Sequence, residues 1–240
     1  MHTDSQCDSA QNPEPETARH VKPRGVSHSG RDIYALSRIS GRRIGLLGGS
    51  FNPAHEGHRH ISLLALRYLN LHEVWWVVSP QNPLKSADGM ATFDERFEYA
   101  KKVARHPRIR VSDVEVQLNT RFTLDTLRVL KQRCQRTQLV WLMGADNLAQ
   151  IPKWRDWTLI FETVPIAVFA RPSYSMLALA GKAAHRYARI RLPSRSASAL
   201  ATMTPPAWTF FHSRLHQASS TQIRAARAAA LSGMPSDTRG

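Results

Sequence analysis

Short apolar runs alternate with longer segments of helical periodicity along most of the chain. Several of the runs are apolar at every position, which is typical of strands that are covered on both faces. Alternation of such runs with helical segments predicts βα units around a parallel sheet. The runs are Ile44–Leu47, Val74–Val78, Ile109–Val116, Leu139–Met143, Ile166–Ala170 and Trp208–Phe211.

Capping signals and apolar spacing predict the helices between these runs. Apolar residues recur at intervals of three and four from Ile61 to Leu69, and Thr92 with Glu95 forms a capping box for a helix that extends to Arg105. We expect Thr123 to cap a helix to about Cys134, and Ser220 or Thr221 to cap Ile223–Leu231 before Gly233. For Ser173–Thr204 the pattern predicts one short helix, Leu177–Arg189, followed by a loop. The whole pattern predicts an α/β fold with a doubly wound, Rossmann-like parallel sheet.

The first 40 residues differ from the rest of the chain. They are rich in Ser, Pro, Gln, His and charge and have almost no apolar periodicity, so we expect a disordered N-terminal extension, residues 1–40, before a single folded domain, residues 41–240. The extension has five acidic and five basic residues, so the net charge of +15 falls on residues 41–240. Ten bases and one acid lie in residues 171–240.

Charge and composition limit the possible partners and locations. A chain of 240 residues with 42% apolar residues can bury a sizeable core, and its pI of about 10.8 favours an anionic partner. Cys7 and Cys134 form neither a disulfide framework nor a zinc motif, which suggests a reducing compartment. No apolar run is long enough to span a bilayer, and the chain starts without a signal-peptide pattern, so we expect a cytoplasmic protein with no membrane partner.

A glycine and histidine motif lies between the first predicted strand and the first predicted helix. It spans Gly48-Gly49-Ser50-Phe51-Asn52-Pro53-Ala54-His55-Glu56-Gly57-His58. Strand ends and helix starts bind anions, and glycines admit a phosphate close to the backbone. The spacing of His55 and His58 allows both imidazoles to face one charge. A tight turn with exposed or metal-bound histidines is the alternative, although the segment has too few local ligands for zinc.

A second motif lies near the other end of the chain, in Ser219–Arg224. Hydroxyl groups at a helix start, with an arginine one turn inside, are typical of an anion site. When the segment is taken alone, an ordinary N-cap beside a surface arginine explains it better. The presence of the first motif favours the anion site.

Together these motifs resemble those of the nucleotidyltransferase superfamily that shares the HxGH element. Gly48–His58 is similar to its Gly-Gly-x-Phe-x-Pro-x-His-x-Gly-His motif, and Ser220–Arg224 is similar to its Ser-Thr-x-Ile-Arg element. Within the superfamily, residues 42–232 look most like the bacterial nicotinate-nucleotide adenylyltransferases. This resemblance implies adenylyl transfer from ATP to nicotinate mononucleotide in NAD biosynthesis, giving deamido-NAD and pyrophosphate. Mg²⁺ would accompany ATP, with no metal site made by the protein.

The resemblance also implies the substrate contacts. Catalytic roles are expected for His55, His58 and Lys85. The expected ATP-binding residues are Gly48, Gly49, Ser50, Phe51, His55, His58, Ser220, Thr221 and Arg224. The expected nicotinate mononucleotide-binding residues are Asn52, Lys85, Phe122, Thr123, Asp146, Trp154 and Arg155.

Three interior segments carry the narrower resemblance. Pro80–Lys85 is similar to the family's Pro-x-x-x-Pro-x-Lys loop, and Arg121–Leu127 to its Ser-Tyr-Thr-x-x-Thr-Leu, with Phe122 in place of tyrosine. Gly144–Asn147, followed by Trp154 and Trp157, is similar to the elements of the pyridine-nucleotide pocket. An aromatic platform suits the flat nicotinate ring, but a tryptophan at this spacing can also be a core residue. Asp146 can accept ribose hydroxyls or cap the next helix.

Two other functions are considered. Related enzymes adenylylate phosphopantetheine or cytidylylate glycerol phosphate, and only the acceptor pocket distinguishes them. The charge of +15 also suits a nucleic-acid-binding module, but the sequence has neither a recognition helix nor a basic strip with interleaved aromatics. We therefore expect small-molecule substrates and no specific nucleic acid, and the oligomeric state is not predicted.

Overall fold

A computed structural model describes residues 41–80, 90–212 and 220–232. The strands in these ranges are β1 (Arg43–Gly49), β2 (Glu73–Val78), β3 (Ile109–Ser112), β4 (Gln138–Gly144), β5 (Ile166–Phe169), β6 (Arg191–Leu192) and β7 (Trp208–Phe211). The α-helices are α1 (Glu56–Tyr68), α2 (Phe93–Ala104), α3 (Val114–Leu118), α4 (Thr123–Arg133), α5 (Ala145–Gln150), α6 (Trp157–Thr163), α7 (Ser175–Leu179), α8 (Lys182–Arg186) and α9 (Ser220–Ser232). Short 3₁₀ helices span Ile151–Lys153, Ala188–Ile190 and Ser194–Thr202.

The strands form one parallel sheet in the order β3-β2-β1-β4-β5-β7-β6. The predicted α/β fold with a doubly wound parallel sheet is therefore confirmed. Strands β2 and β3 follow β1 on one side of it in the sheet. Strands β4 and β5 then lie on the other side of β1. Ligands of open α/β sheets bind at such a reversal, beyond the carboxyl ends of the strands. The gap between β1 and β4 is that point.

Helices cover both faces of the sheet, and each face has its own apolar core. Consecutive strand residues point to opposite faces, so Trp75 packs in one core and Trp76 in the other. Both indoles are fully buried. This explains why β2 is apolar along its whole length. No helix in the described part of the chain is both long and apolar enough to cross a membrane.

Several predicted boundaries are confirmed. Helix α2 begins with the predicted capping box, in which Thr92 and Glu95 bond each other's backbone N–H groups, and it ends at Ala104. Helix α1 buries Ile61 and Ala65 on the predicted apolar side. The N-terminal extension, Cys7, Lys85 and Gly233 lie outside the described residues.

The predicted strand Ile109–Val116 is wrong at its end. Strand β3 stops at Ser112, because the carbonyl of Asp113 accepts the N–H groups of Val116 and Gln117 and so begins helix α3. Four β-branched residues in this segment, Ile109, Val111, Val114 and Val116, continue past the end of the strand, so the residue pattern does not show where the backbone hydrogen bonding changes.

The predicted cap at Thr123 is also wrong. Helix α4 starts at Thr123, and the preceding residue, Phe122, is extended and has a carbonyl that accepts the N–H groups of Asp125 and Thr126. Phe122 therefore occupies the cap position without a side-chain bond.

The segment Ser173–Thr204 is more ordered than predicted. Two short helices, α7 and α8, replace the single expected helix, and the expected loop contains β6 and a 3₁₀ helix. Ala197 and Leu200 of that 3₁₀ helix are buried against the sheet. Their spacing of three residues matches the 3₁₀ repeat, which an analysis limited to α and β periods does not detect.

Candidate active site

A cleft of about 910 Å³ opens at the carboxyl ends of the central strands. Its floor includes Gly48 and Gly49 of β1, Trp141 of β4 and Gly144 at the end of β4. Its walls come from four further segments of the chain. These segments contribute Arg121–Thr123, Lys153–Arg155, Arg171–Tyr174 and Ser220–Gln222 with Arg224.

The two motif histidines form a capping box at the start of α1. The Nδ1 atom of His55 accepts the N–H of Gly57, and Nδ1 of His58 accepts the N–H of His55, both at 3.2 Å. The ring centroids of His55 and His58 are 3.9 Å apart. The predicted convergence of the two imidazoles is therefore observed, and the bonds of the helix start produce it.

These bonds define which imidazole atom can act as a donor. A neutral imidazole has one donor nitrogen and one acceptor nitrogen. Because Nδ1 of His58 accepts a bond, the proton of its neutral ring lies on Nε2. Burial, the nearby His55 and then Arg171 hold the pKa of His58 well below its usual range. His58 therefore enters the cleft as a neutral N–H donor.

His55 has a different position from His58. Only 5% of His55 is exposed, and the described residues that line the cleft include His58 but not His55. Asn52 is likewise not part of that lining, and its Oδ1 accepts the N–H of Ala91 at 3.4 Å. The predicted substrate contacts of His55 and Asn52 stay predictions.

Phe51 anchors the turn between β1 and α1. Its φ of 48° lies in the left-handed region, which is uncommon for a residue other than glycine. Its ring stacks on Trp76 at a centroid distance of 5.1 Å and lies 4.7 Å from the ring of His58. Burial of the ring fixes this backbone conformation and also supports the imidazole that enters the cleft.

Gly48 is required for a reason that the sequence did not reveal. A Cβ atom at this position would lie 2.3 Å from the ring of Trp141, which is an overlap with a buried indole. At Gly49 the nearest atom, in the ring of Phe51, would be 3.5 Å away, which is an ordinary contact. Ser50 also lines the cleft. A packing constraint from Trp141 therefore fixes the first glycine.

The C-terminal motif meets the N-terminal motif at the mouth of the cleft. The hydroxyl of Ser220 donates to the carbonyl of Pro53 at 3.0 Å. The guanidinium of Arg224 donates to the carbonyl of Asn52 at 2.6 Å and is 3.4 Å from the hydroxyl of Thr221. The two motifs therefore build one site, as the sequence predicted.

Trp154 and Trp157 have different surroundings. Trp154 lines the cleft, whereas Trp157 meets Phe161 and Tyr187 edge to face and is not part of the cleft lining among the described residues. The position of Trp154 agrees with an aromatic platform in the pocket, and the position of Trp157 agrees with a residue that packs on the core.

Another part of the cleft lining combines an aromatic ring with a paired arginine. The Arg155 guanidinium lies 3.8 Å from the ring centroid of Phe122 and forms an ion pair with Asp125. Thr123 lines the cleft beside Phe122. This ion pair holds α4 against the segment that carries Trp154.

Asp146 lies at the first turn of α5 and pairs with a residue that the motif analysis did not find. Its Oδ2 accepts from Arg171 at 3.0 Å, while its buried Oδ1 has no hydrogen-bond partner among the described residues. Helix α5 has no side-chain cap bond, so the capping alternative for Asp146 is not observed. An unpaired carboxylate oxygen beside a cleft is suited to accept ligand hydroxyl groups.

Glu115 is a second cleft residue that the motifs did not indicate. It is 6% exposed, and its carboxyl lies 3.3 Å from the hydroxyl of Thr126. Burial raises the pKa of Glu115 to about 7, against smaller opposing effects of hydrogen bonds from Thr126 and Ser79. The predicted strand Ile109–Val116 includes Glu115, and for that reason the sequence gives no sign that this side chain lies at the cleft.

A positional signal could have identified Arg171. It directly follows the last apolar run before α7, and residues that follow parallel strands line the ligand cleft. Among residues 41–80, 90–212 and 220–232, no group of three or more His, Cys, Asp or Glu side chains is placed to bind a metal ion.

The fold and the site define a nucleotide-binding α/β protein, with a cleft at the strand reversal and a helix start beneath it. Comparison with known proteins agrees. Residues 46–226 match the model of the family described as cytidylyltransferase-like. A relative named probable nicotinate-nucleotide adenylyltransferase, from Parvibaculum lavamentivorans, is 51% identical over 184 residues, which are 77% of this chain and 92% of the relative.

A relative of the same name from Bradyrhizobium sp. (strain BTAi1) is 49% identical over 182 residues, which are 76% of this chain and 95% of that protein. The chain therefore belongs to the cytidylyltransferase-like family and, within it, to the nicotinate-nucleotide adenylyltransferases.

The fold also matches solved structures. The nicotinic acid mononucleotide adenylyltransferase of Plasmodium falciparum complexed with NaAD aligns with a TM-score of 0.57 and 16% identity, covering 77% of this chain and 83% of that one. The same enzyme complexed with APC aligns with a TM-score of 0.56 and 15% identity over the same shares. At this identity the match supports the fold alone.

Proposed function

We propose that this protein transfers the adenylyl group of ATP to nicotinate mononucleotide, giving deamido-NAD and pyrophosphate. The observation that carries the proposal is the contact between the two motifs. Arg224 and Ser220 bond the carbonyls of Asn52 and Pro53, which brings the C-terminal hydroxyls to the cleft that His58 enters.

The transfer needs no nucleophile from the protein. A phosphate oxygen of nicotinate mononucleotide attacks the α-phosphorus of ATP and forms a new P–O bond. The bond between the α-phosphorus and the oxygen that bridges to the β-phosphorus breaks, and its electron pair leaves with pyrophosphate. The protein has to align two polyanions and stabilise the charge that develops on the leaving group.

One side of the cleft is suited to the triphosphate. The cleft is entered at the start of α1, where the helix dipole favours anions, by the neutral His58, which adds an Nε2–H donor. Arg224 and Thr221 add a cation and a hydroxyl group for the β- and γ-phosphates, and Ser220, whose hydroxyl donates to the carbonyl of Pro53, fixes the segment that carries them. His55 and Lys85 are proposed to act with them, and the support for these two is the motif alone.

The other side is suited to a pyridine nucleotide. Trp154 offers an aromatic face, and Phe122 lies beneath the Arg155 guanidinium on the same wall. The free Oδ1 of Asp146 is positioned to accept a ribose hydroxyl. This combination favours a flat ring with a sugar over the flexible chain of phosphopantetheine.

Mg²⁺ is proposed to arrive with ATP. Such an ion keeps several waters and is held largely by phosphate oxygens. When bound, the ion would neutralise phosphate charge. Reaction in the cytoplasm is also proposed, and the buried free thiol of Cys134 is consistent with a reducing compartment.

The test is a coupled assay of pyrophosphate release with ATP and four acceptors in parallel. These are nicotinate mononucleotide, nicotinamide mononucleotide, phosphopantetheine and glycerol phosphate with CTP. We expect deamido-NAD, identified by mass, and the highest kcat/KM with nicotinate mononucleotide. Faster turnover of phosphopantetheine or glycerol phosphate would overturn the proposal.

A further inference from the structure

Arg96, in the first turns of α2, is an arginine almost without solvent contact. Only 2% of the residue is exposed. Four of its five N–H groups donate to described residues, and each acceptor there is a backbone carbonyl. The acceptors are those of Ser50 at 2.6 Å, Ser79 at 2.8 Å, Pro80 at 2.8 Å and Ala91 at 3.1 Å.

These carbonyls belong to three separate parts of the chain. Ser50 lies in the turn after β1, Ser79 and Pro80 follow β2, and Ala91 precedes α2. Two further bonds tie the same parts together, since Ser79 donates its N–H to Gly49 and Ala91 donates to Asn52. One guanidinium therefore fixes the turn that forms the cleft floor to the residues around it.

Within residues 41–80, 90–212 and 220–232, no hydrogen bond pairs the charge of Arg96 with a carboxylate. None of its hydrogen-bond partners among the described residues is a carboxylate, so the carbonyls satisfy the N–H groups but leave the positive charge in place. Burial reduces solvent screening of such a charge. Because Ser50 lines the cleft, this charge lies directly behind the proposed phosphate site.

We propose that Arg96 is a positioning residue for the transfer reaction, which holds the Gly48–Asn52 turn in the shape that receives the phosphates of ATP. It acts through the Ser50 carbonyl and through its charge, with no direct contact with the substrate. The proposal rests on the function proposed above.

The test compares Arg96→Lys with a control in the same helix. A lysine keeps the charge, but its single ammonium group cannot reach three chain segments in the fixed geometry of a guanidinium. We expect kcat/KM for ATP to fall at least about tenfold, with a smaller change in the KM for nicotinate mononucleotide. The control is Phe97→Leu, which perturbs a buried neighbour in the same helix, whose ring stacks on Phe93.

Thermal stability separates positioning from a general loss of structure. Phe97→Leu should keep kcat/KM within about twofold even where its melting temperature falls as far as that of Arg96→Lys. An Arg96→Lys enzyme with near wild-type kinetics, or a control that loses as much activity for the same thermal shift, would refute the proposal. If the lysine variant does not fold, Arg96→Gln takes its place in the same comparison.

Binding of a non-hydrolysable ATP analogue, measured by calorimetry, keeps the two proposals distinguishable. If the wild-type enzyme makes no deamido-NAD, the proposed function fails. The Kd for the analogue still tests Arg96, and we expect it to rise at least about fivefold in Arg96→Lys and to stay unchanged in Phe97→Leu. An equal Kd in Arg96→Lys and wild type would count against the positioning role.

Discussion

The guanidinium of Arg224 bonds the backbone carbonyl of Asn52 across 172 residues of sequence, at 2.6 Å. This bond places an arginine of the last described helix on the turn that precedes the first helix. It holds the arginine beside the turn that leads to His55. The bond therefore couples the two motifs that are proposed to hold the triphosphate.

Substitution of Arg224 should weaken ATP binding. Arg224→Ala removes a charged hydrogen bond and a cation of the cleft, and charged hydrogen bonds contribute roughly 1.5–3 kcal/mol, so we expect the KM for ATP to rise about tenfold or more. Steady-state kinetics with varied ATP measure this effect. Arg189→Ala removes the same charge from an exposed position and should leave the KM within about twofold. Equal effects of both substitutions would mean that only the overall charge matters.

Substitution of His58 should slow the chemical step. His58→Ala deletes the Nε2–H donor that enters the cleft, and loss of one donor to a developing charge typically lowers kcat about 10²-fold or more. Single-turnover and steady-state rates measure the change. His60→Ala, in the same helix but not in the cleft lining of the described residues, is the matched control. Wild-type turnover in His58→Ala would exclude the assigned role.

His58 should also give the stability a defined pH dependence. Its pKa in the folded protein is depressed by burial and by the nearby His55 and Arg171, so below about pH 6.5 the unfolded chain binds a proton that the folded protein does not. Stability contributed by this group is present above that pH and is lost on acidification. Urea unfolding from pH 7 to pH 5 should show a smaller loss for His58→Gln than for wild type. An equal loss of stability in His58→Gln and wild type would contradict the neutral state of His58.

The ionisation of Glu115 should give the stability the opposite pH dependence. Burial raises the pKa of Glu115 to about 7 from an ordinary value near 4.5, so between these values the folded protein holds a proton that the unfolded chain releases. This contribution to stability is present below about pH 4.5 and is lost as the pH rises through 7. Glu115→Gln should therefore gain stability relative to wild type as the pH rises from 5 to 8. Denaturant unfolding at several pH values measures the difference, and a constant difference would contradict the raised pKa.

Substitution of Trp154 should affect substrate binding, whereas substitution of Trp157 should affect stability. Trp154→Ala removes the aromatic face of the cleft and should raise the KM for nicotinate mononucleotide about tenfold, with a small effect on the KM for ATP. Trp157→Ala removes the edge contacts with Phe161 and Tyr187 and should cost roughly 2–4 kcal/mol of stability with little change in KM. Kinetics and thermal unfolding of both variants test this division. A raised KM in Trp157→Ala and a loss of stability alone in Trp154→Ala would contradict the assignment of Trp154 to the pocket.

Local features are predicted correctly from the sequence where the residue types signal them. The capping box of Thr92 and Glu95 and the apolar run of β2 depend on residues that are adjacent or one helical turn apart. The end of β3 and the start of α4 were misread because backbone hydrogen bonds of Asp113 and Phe122 decide them. Strand β6, which spans two residues, is too short to give a pattern.

The candidate site divides in the same way. The motifs identified His58, Ser220 and Trp154 as residue types suited to the chemistry, and each lies at the cleft. They did not identify Arg171 or Glu115, because the role of each depends on neighbours that are distant in sequence. A buried carboxyl has no signature in a sequence that places it within an apolar run.

The order of residues alone determined the periodicity, the capping box of Thr92 and Glu95 and the chemical groups available for binding anions, because these depend on interactions between near neighbours in the chain. The tertiary structure decided which of those groups meet and in which protonation state they do so. The bond from Arg224 to Asn52, the neutral ring of His58 and the carbonyl cage of Arg96 all arise from distances and burial that exist only once the sheet has assembled. Burial and the electrostatic field are properties of the whole fold, so no single segment of the chain contains them.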